Sequence, residues 1–305
     1  MQRRNMNSSL DQIYTFIEEQ LDLWPLAKRN YDALSKVERR TLKVGDFPMA
    51  LQFNPARIVS TGASVSNGRP ADRPCFLCKK NRPVEQLKID ILPDWELLVN
   101  PYPIFPVHLT IVSAKHQPQA AIPAEIVTLA EKLPGMVVFF NGAKAGASAP
   151  DHLHLQAVLK EELPLIRIVE ENHKSTDSEV ISSDSFGLHL PFLFYSGLAK
   201  DDANLRKTLL SGLNIGGPDS EGFLFDYTKV NTFFWIDNES NLRFISIPRK
   251  AHRPQCYFDE GEKHHLISPG CVDMAGVMIA PLEKDFRYLS EEDIIQIYSE
   301  VALTL

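Results

Sequence analysis

The chain has 305 residues, of which 44% are hydrophobic and 23% charged, and its formal net charge is −7. That length suits two modest domains or one large domain with a sizeable core, and the composition is that of an ordinary globular protein. The acidic balance offers no basic footprint for a nucleic-acid polymer, though it is compatible with a small anionic ligand in a local pocket.

In chain order, the amino-terminal stretch carries Arg3 and Arg4 but no continuous apolar run, so it does not read as a secretory leader. Leu10, Ile13, Phe16, Ile17 and Leu21 recur at helical spacing, and Pro25 marks the end of that helix. "MALQFNPARIVS" reads as a strand interrupted by Asn-Pro, and residues 60–74 read as a loop by composition. "CFLC" is followed by two strand-like runs, "WELLVN" and "HLTIVSA", then by the helix "AEIVTLAEKL" and the buried strand "GMVVFFNG". The strand "HLHLQAV" closes this unit. No run reaches the length of a transmembrane helix, so no membrane partner is expected. Four cysteines, two of them as Cys75-x-x-Cys78, suit a reducing compartment, and the expected location is the cytoplasm.

The second half repeats part of this order. "SAKHQPQ" at 113–119 recurs as "PRKAHRPQ" at 248–255, each after an apolar strand run. Duplication of an α+β unit would explain the match, and so would chance. Nothing in the second half reproduces "HLHLQ".

In "SAPDHLHLQAV", strand alternation puts His152, His154 and Gln156 on one face and Leu153, Leu155 and Ala157 on the other. Two structurally satisfied histidines or a surface pair is the plain reading. The approach argues for chemistry: "NGAKAGASAP" is rich in small residues, which let main-chain N–H groups come close to an anion in front of an imidazole.

"NGAKAGASAPDHLHLQ" resembles the catalytic segment of the histidine-triad (HIT) superfamily, in the branch where the last histidine of H-x-H-x-H is glutamine. That branch contains galactose-1-phosphate uridylyltransferases, diadenosine polyphosphate phosphorylases and GDP-hexose phosphorylases. Upstream, "VNPYPIFPVHLTIVSAKH" resembles the family's strand–loop–strand element through Asn100, Pro106, His108 and His116. The resemblance is clear over 75–160, weaker over 225–282 and absent at the amino terminus.

The resemblance implies an α+β fold of two HIT-like halves, each an antiparallel sheet with packed helices. The expected division is an extension over 1–60, a catalytic half over 61–165 and a half without the histidine motif over 166–305. It also implies that His154 attacks an α-phosphorus to give a nucleotidyl-imidazole, with Gln156 holding a phosphate oxygen. An amide cannot protonate a leaving group, so the glutamine favours groups that depart as stable anions, such as phosphate or a sugar phosphate. Asn141, Gly146 and Ser148 are candidates for phosphate or ribose contacts, and Asn100 for the ribose.

The expected activity is transfer or phosphorolysis on a nucleoside diphosphate sugar. The alternatives are phosphorolysis of dinucleoside polyphosphates and a nucleotide-binding regulator without turnover; the intact His154 and Gln156 argue against the last. Asp151 stands between Pro150 and His152, where the uridylyltransferase and dinucleotide branches have proline directly before the first histidine, and this tilts the reading toward the GDP-hexose pattern. Relatives in the branch are often homodimers.

By itself Cys75-x-x-Cys78 admits a chance pair, a redox motif or half of a zinc site, and no thioredoxin-like context supports the second. Some uridylyltransferases carry "CFLC" before the same element and bind zinc there, which implies a structural Zn2+ on Cys75, Cys78, His116 and His152. Elsewhere, Arg57, Arg249 and Lys250 read as phosphate-reaching groups or solvated basic turns, His264-His265 as a surface loop, His108 as packing, and Trp24, Trp95 and Trp235 as core.

Overall fold

The computed structural model describes residues 10–61, 74–172, 181–199 and 226–304. The loop read over 60–74 lies outside them from 62 to 73. Helices α1 (Leu10–Leu23) and α2 (Pro25–Asp32) lead into the hairpin β1 (Glu38–Val44) and β2 (Phe47–Phe53), and then into the short α3 (Ile58–Thr61). The next unit runs β3 (Ile89–Leu92), β4 (Trp95–Val99), β5 (His108–Ser113), α4 (Ile126–Glu131), β6 (Met136–Asn141), β7 (His154–Leu159) and α5 (Pro164–Asn172). The last comprises β8 (Ile181–Ser182), β9 (Tyr195–Ala199), β10 (Val230–Ile236), β11 (Leu242–Pro248), α6 (Cys271–Met274), β12 (Val277–Ala280), α7 (Glu283–Tyr288) and α8 (Glu291–Val301).

One sheet has nine strands in the order β3-β4-β5-β7-β6-β10-β11-β9-β8, and a second has β1-β2-β12. In the large sheet every pairing is antiparallel. Strands β4 to β7 lie in the spatial order 4-5-7-6, and β8 to β11 in the order 8-9-11-10. The two halves therefore repeat one topology, as expected, and they are joined edge to edge through β6 and β10.

This topology makes β11 the counterpart of β7 and β9 the counterpart of β5. The resemblance between 113–119 and 248–255 pairs the end of β5 with the end of β11, which are not equivalent. The repeat seen in the sheet is therefore not the one that the short sequence match would align.

Successive residues of each central strand serve different cores. Val137, Phe139 and Val158 join the cluster shared with β1, β2, β12, α5 and α8, whereas Val138, Phe140, Leu155 and Ala157 join the cluster under α1 and α4. Burial on both faces explains why "MVVFFN" shows no polar alternation. Trp24, Trp95 and Trp235 are all core residues. Among the described residues no helix is long and apolar enough to cross a membrane.

Candidate active site and metal cluster

Strand β7 begins at His154, so the shared face expected for 152, 154 and 156 holds only for His154 and Gln156. His152 lies in the preceding turn, where its own backbone N–H donates to Ala149. The leucine face behaves as the alternation predicts, with Leu153 and Leu155 in the core under α1 and α4.

His154 is buried, and its Nδ1 lies 2.8 Å from the main-chain oxygen of His152. A carbonyl only accepts, so Nδ1 carries the proton and Nε2 keeps its lone pair. Burial pulls the ring's pKa down to about 4, partly opposed by the bond to His152. Near neutral pH this is an uncharged imidazole with its nucleophilic nitrogen fixed by the tautomer.

Gln156 is also held in one orientation. Its Oε1 lies 2.7 Å from His108 Nε2. His108 Nδ1 accepts from the Ile104 N–H at 3.0 Å, so the neutral ring must bear its proton on Nε2 and donate to Gln156. Burial, then the nearby Arg57 charge, pushes the His108 pKa down to about 3, which keeps the ring neutral. The Gln156 oxygen is thereby occupied, leaving its NH2 as the end a ligand oxygen would meet. The packing role read for His108 was incomplete. It sits diagonally across the β5–β7 ladder from Gln156, a relationship that needs the strand register.

The small-residue segment 142–149 leaves β6 and is tied to the second half. Gly142 N donates to Val230 O at 2.9 Å and Lys144 N to Thr228 O at 2.7 Å. A Cβ on Gly142 would stand 2.5 Å from the Thr228 oxygen. Gly146 has φ +97°, and a Cβ there would stand 2.7 Å from Gly270 Cα, so two main chains meet where no side chain fits. Ser148 is exposed. The Asn141 side-chain oxygen accepts from Asn231 at 2.9 Å and from the Cys271 N–H at 2.8 Å, so this residue braces the base of the loop and has only its amide nitrogen left for a ligand. Asn100 turns its oxygen to the Tyr102 N–H at 2.9 Å, beside His108.

Cys75, Cys78, His116 and His152 come together, their donor atoms all within 4.8 Å of one another. Cys75 Sγ is 3.3 Å from His152 Nδ1, and Cys78 Sγ is 3.3 Å from His116 Nδ1 and 3.6 Å from His152 Nδ1. His152 Nε2 donates to Ser113 O at 2.8 Å, which turns the Nδ1 lone pair toward the sulfurs. Sulfur and nitrogen ligands on one tetrahedral zinc stand about 3.5 Å apart, so the donor set fits that ion. Asn81 donates to Cys75 O and Arg82 to Leu77 O, and the buried pair Arg82–Glu96, 2.6 Å, ties this knuckle to β4.

Both readings offered for Arg249 were wrong. It is buried, and it donates to Val301 O, Pro269 O, Ala251 O, His252 O and the Asn231 side chain. Arg57 is half-buried and donates to Tyr102 O at 2.7 Å. His265 is not a free surface group, since its Nδ1 is 2.9 Å from the buried Asp285 carboxylate.

A family described as a domain of unknown function, DUF4922, matches residues 16–159. That span runs from α1 to the end of β7. No curated protein matches the chain. Among solved structures, yeast Ap4A phosphorylase Apa2 in complex with Ap4A is 15% identical, with a TM-score of 0.61 over 93% of this chain and 98% of that one. Apa2 in complex with AMP is 15% identical, with a TM-score of 0.60 over 93% and 97%.

The fold is HIT-like, and yeast Apa2 shares it. At this identity the likeness concerns the fold alone, and it covers both halves of the chain.

Proposed function

We propose that this chain is a nucleotidyl phosphorylase that works through a covalent intermediate on His154 and acts on dinucleoside polyphosphates. The observation that carries the reading is the fixed tautomer: Nδ1–H held by His152 O at 2.8 Å, with Nε2 unprotonated on a neutral ring. Nε2 attacks the α-phosphorus of a dinucleoside tetraphosphate, the P–O bond to the β-phosphate breaks, and a nucleoside triphosphate leaves as its anion. Phosphate then attacks the same phosphorus, the P–N bond breaks, and a nucleoside diphosphate is released. Neither leaving group needs a proton, which agrees with an amide at Gln156. The Gln156 NH2 is the donor offered to the charge that builds on the equatorial oxygens, together with the N–H groups of 142–149 other than those of Gly142, Lys144, Ala145 and Ala147, which already bond protein carbonyls.

The nucleoside diphosphate sugar reading takes second place. Asp151 before the first histidine favours it, whereas the extended likeness to Apa2 favours the dinucleotide. The same proposal includes a structural zinc on Cys75, Cys78, His116 and His152. When bound, the ion supplies a four-coordinate clamp with no open position for water.

The test is incubation with α-labelled Ap4A or a labelled GDP-hexose, with and without phosphate. The expected result is an acid-labile, base-stable label on the protein from Ap4A, lost in His154→Ala, and phosphate-dependent formation of ADP and ATP. Labelling from the sugar nucleotide alone would promote the second reading. Tight binding without label from either compound would refute both enzymes and leave a nucleotide-binding regulator.

A further inference from the structure

The last paired residues of β6 and β7 are Phe139 and Gln156. Continuing that register sets Asn141 opposite His154, and there the ladder is interrupted. A side chain from outside both strands fills the break. Gln119 lies after β5 and is 0% exposed. Its Oε1 accepts from the His154 N–H at 2.8 Å. Its Nε2 donates to the His154 carbonyl at 2.8 Å and to the Asn141 carbonyl at 2.9 Å.

One primary amide thus satisfies both main-chain groups of His154 and ties them to the end of β6. The preceding residue is held from the opposite flank. Leu153 N donates to Gln117 O at 2.6 Å and Leu153 O accepts from Ser113 N at 3.1 Å. Gln119 N itself donates to Pro150 O at 3.0 Å. Glutamine is well suited to this place, because it offers an acceptor and two donors on an arm that can reach between two strands. Gln255, its partner in the sequence match, is exposed and bonds Asp259, so the role does not recur there.

We propose that Gln119 is a positioning residue for His154. It replaces the missing ladder bonds with an amide spacer and so sets the position from which the imidazole meets a phosphorus atom. This rests on the reading of His154 as the nucleophile. A misplacement of about 1 Å in a reacting group costs about a hundredfold in rate. The loss belongs in the chemical step, since Gln119 is buried beneath the strands.

Gln119→Met keeps the volume and removes all three bonds. The expected result with Ap4A and phosphate is a kcat lower by about ten- to a hundredfold with KM within about threefold, and zinc content equal to that of the parent. In selectively labelled protein, the 1H–15N correlation of His154 should change from a single Nδ1–H tautomer to a mixture. An unchanged kcat with a single tautomer would overturn the proposal and leave Gln119 as packing, and a change confined to KM would do the same. The unsubstituted protein gives an independent check, because the His154 amide should exchange slowly with D2O. Exchange at the rate of a free peptide would overturn the proposal even if no variant folds. If the parent forms no adduct, the phosphorylase reading falls, and the tautomer and exchange data still decide the role of Gln119.

Discussion

His154 Nδ1 stands 2.8 Å from the carbonyl oxygen of His152, whose own imidazole is turned toward Cys75 and Cys78. One residue therefore serves both places: its ring faces the cysteine cluster, and its main-chain oxygen holds the His154 imidazole. Fixing the ring of His152 also fixes the carbonyl that selects the tautomer two residues on.

The first expectation concerns that cluster. The purified protein should hold one zinc per chain, measured by atomic emission. Cys78→Ser should lower the zinc content and the melting temperature together. At free zinc a thousand times the dissociation constant, the ion adds about 4 kcal/mol of stability. A metal-free protein with the parent's melting temperature would rule out a structural zinc.

The contact between His108 and Gln156 makes a second expectation. His108→Asn keeps an acceptor for the Ile104 N–H but falls short of Gln156, so the amide is free to flip. We expect kcat to fall by about tenfold, the worth of one hydrogen bond of about 1.4 kcal/mol. Gln156→Leu should cost at least as much. The double variant should resemble Gln156→Leu alone, because His108 acts through the glutamine. Additive losses would show that His108 acts on the substrate by another route.

Burial of His108 also has a consequence for pH. Its folded pKa is pushed down to about 3, whereas an unfolded histidine titrates near 6.5. Below 6.5 the unfolded chain takes up a proton that the folded ring refuses, so unfolding gains protons and stability falls as the pH drops. The contribution is fully present above pH 6.5, is reduced by about 2 kcal/mol at pH 5, and goes on falling toward pH 3. Urea unfolding of the parent and of His108→Asn between pH 7 and pH 5 measures it. The variant should show the shallower slope, and equal slopes would contradict a buried neutral ring.

Much of this was legible in the sequence for identifiable reasons. The spacing of Leu10, Ile13, Phe16 and Ile17 marks α1, whose buried face is Ile13, Phe16, Ile17 and Gln20. The HIT-like halves followed from the motif around His154, and the four residues read as a zinc set meet in space. The contributions of His108 and Gln119 were not legible. Each acts across strand registers, over 48 and 35 residues of chain, and a side chain's partner at that separation has no local signature. Arg249 was misread because a basic residue after a strand most often points to water. Here its guanidinium is enclosed by carbonyl oxygens from three separate segments, a setting only the folded chain creates.

The close approach of Gly146 and Gly270 supports a last, graded expectation. Gly146 has φ +97°, and an added Cβ would lie 2.7 Å from the Gly270 main chain and 3.1 Å from Pro269 O. Both neighbours are backbone, so nothing flexible can yield. Gly146→Ala combines left-handed strain of about 1–2 kcal/mol with a clash, and it pushes segment 142–149 away from the second half. Gly270→Ala is milder, because its Cβ would meet the Asn141 side chain at 3.2 Å with no conformational strain. We expect Gly146→Ala to slow adduct formation by at least about tenfold and Gly270→Ala to slow it less, the ratio of the two reporting the energy of strain and clash. Rapid-quench labelling with Ap4A ranks them. Equal adduct rates in both variants and the parent would mean that the loop's close contact with the second half does not shape the site.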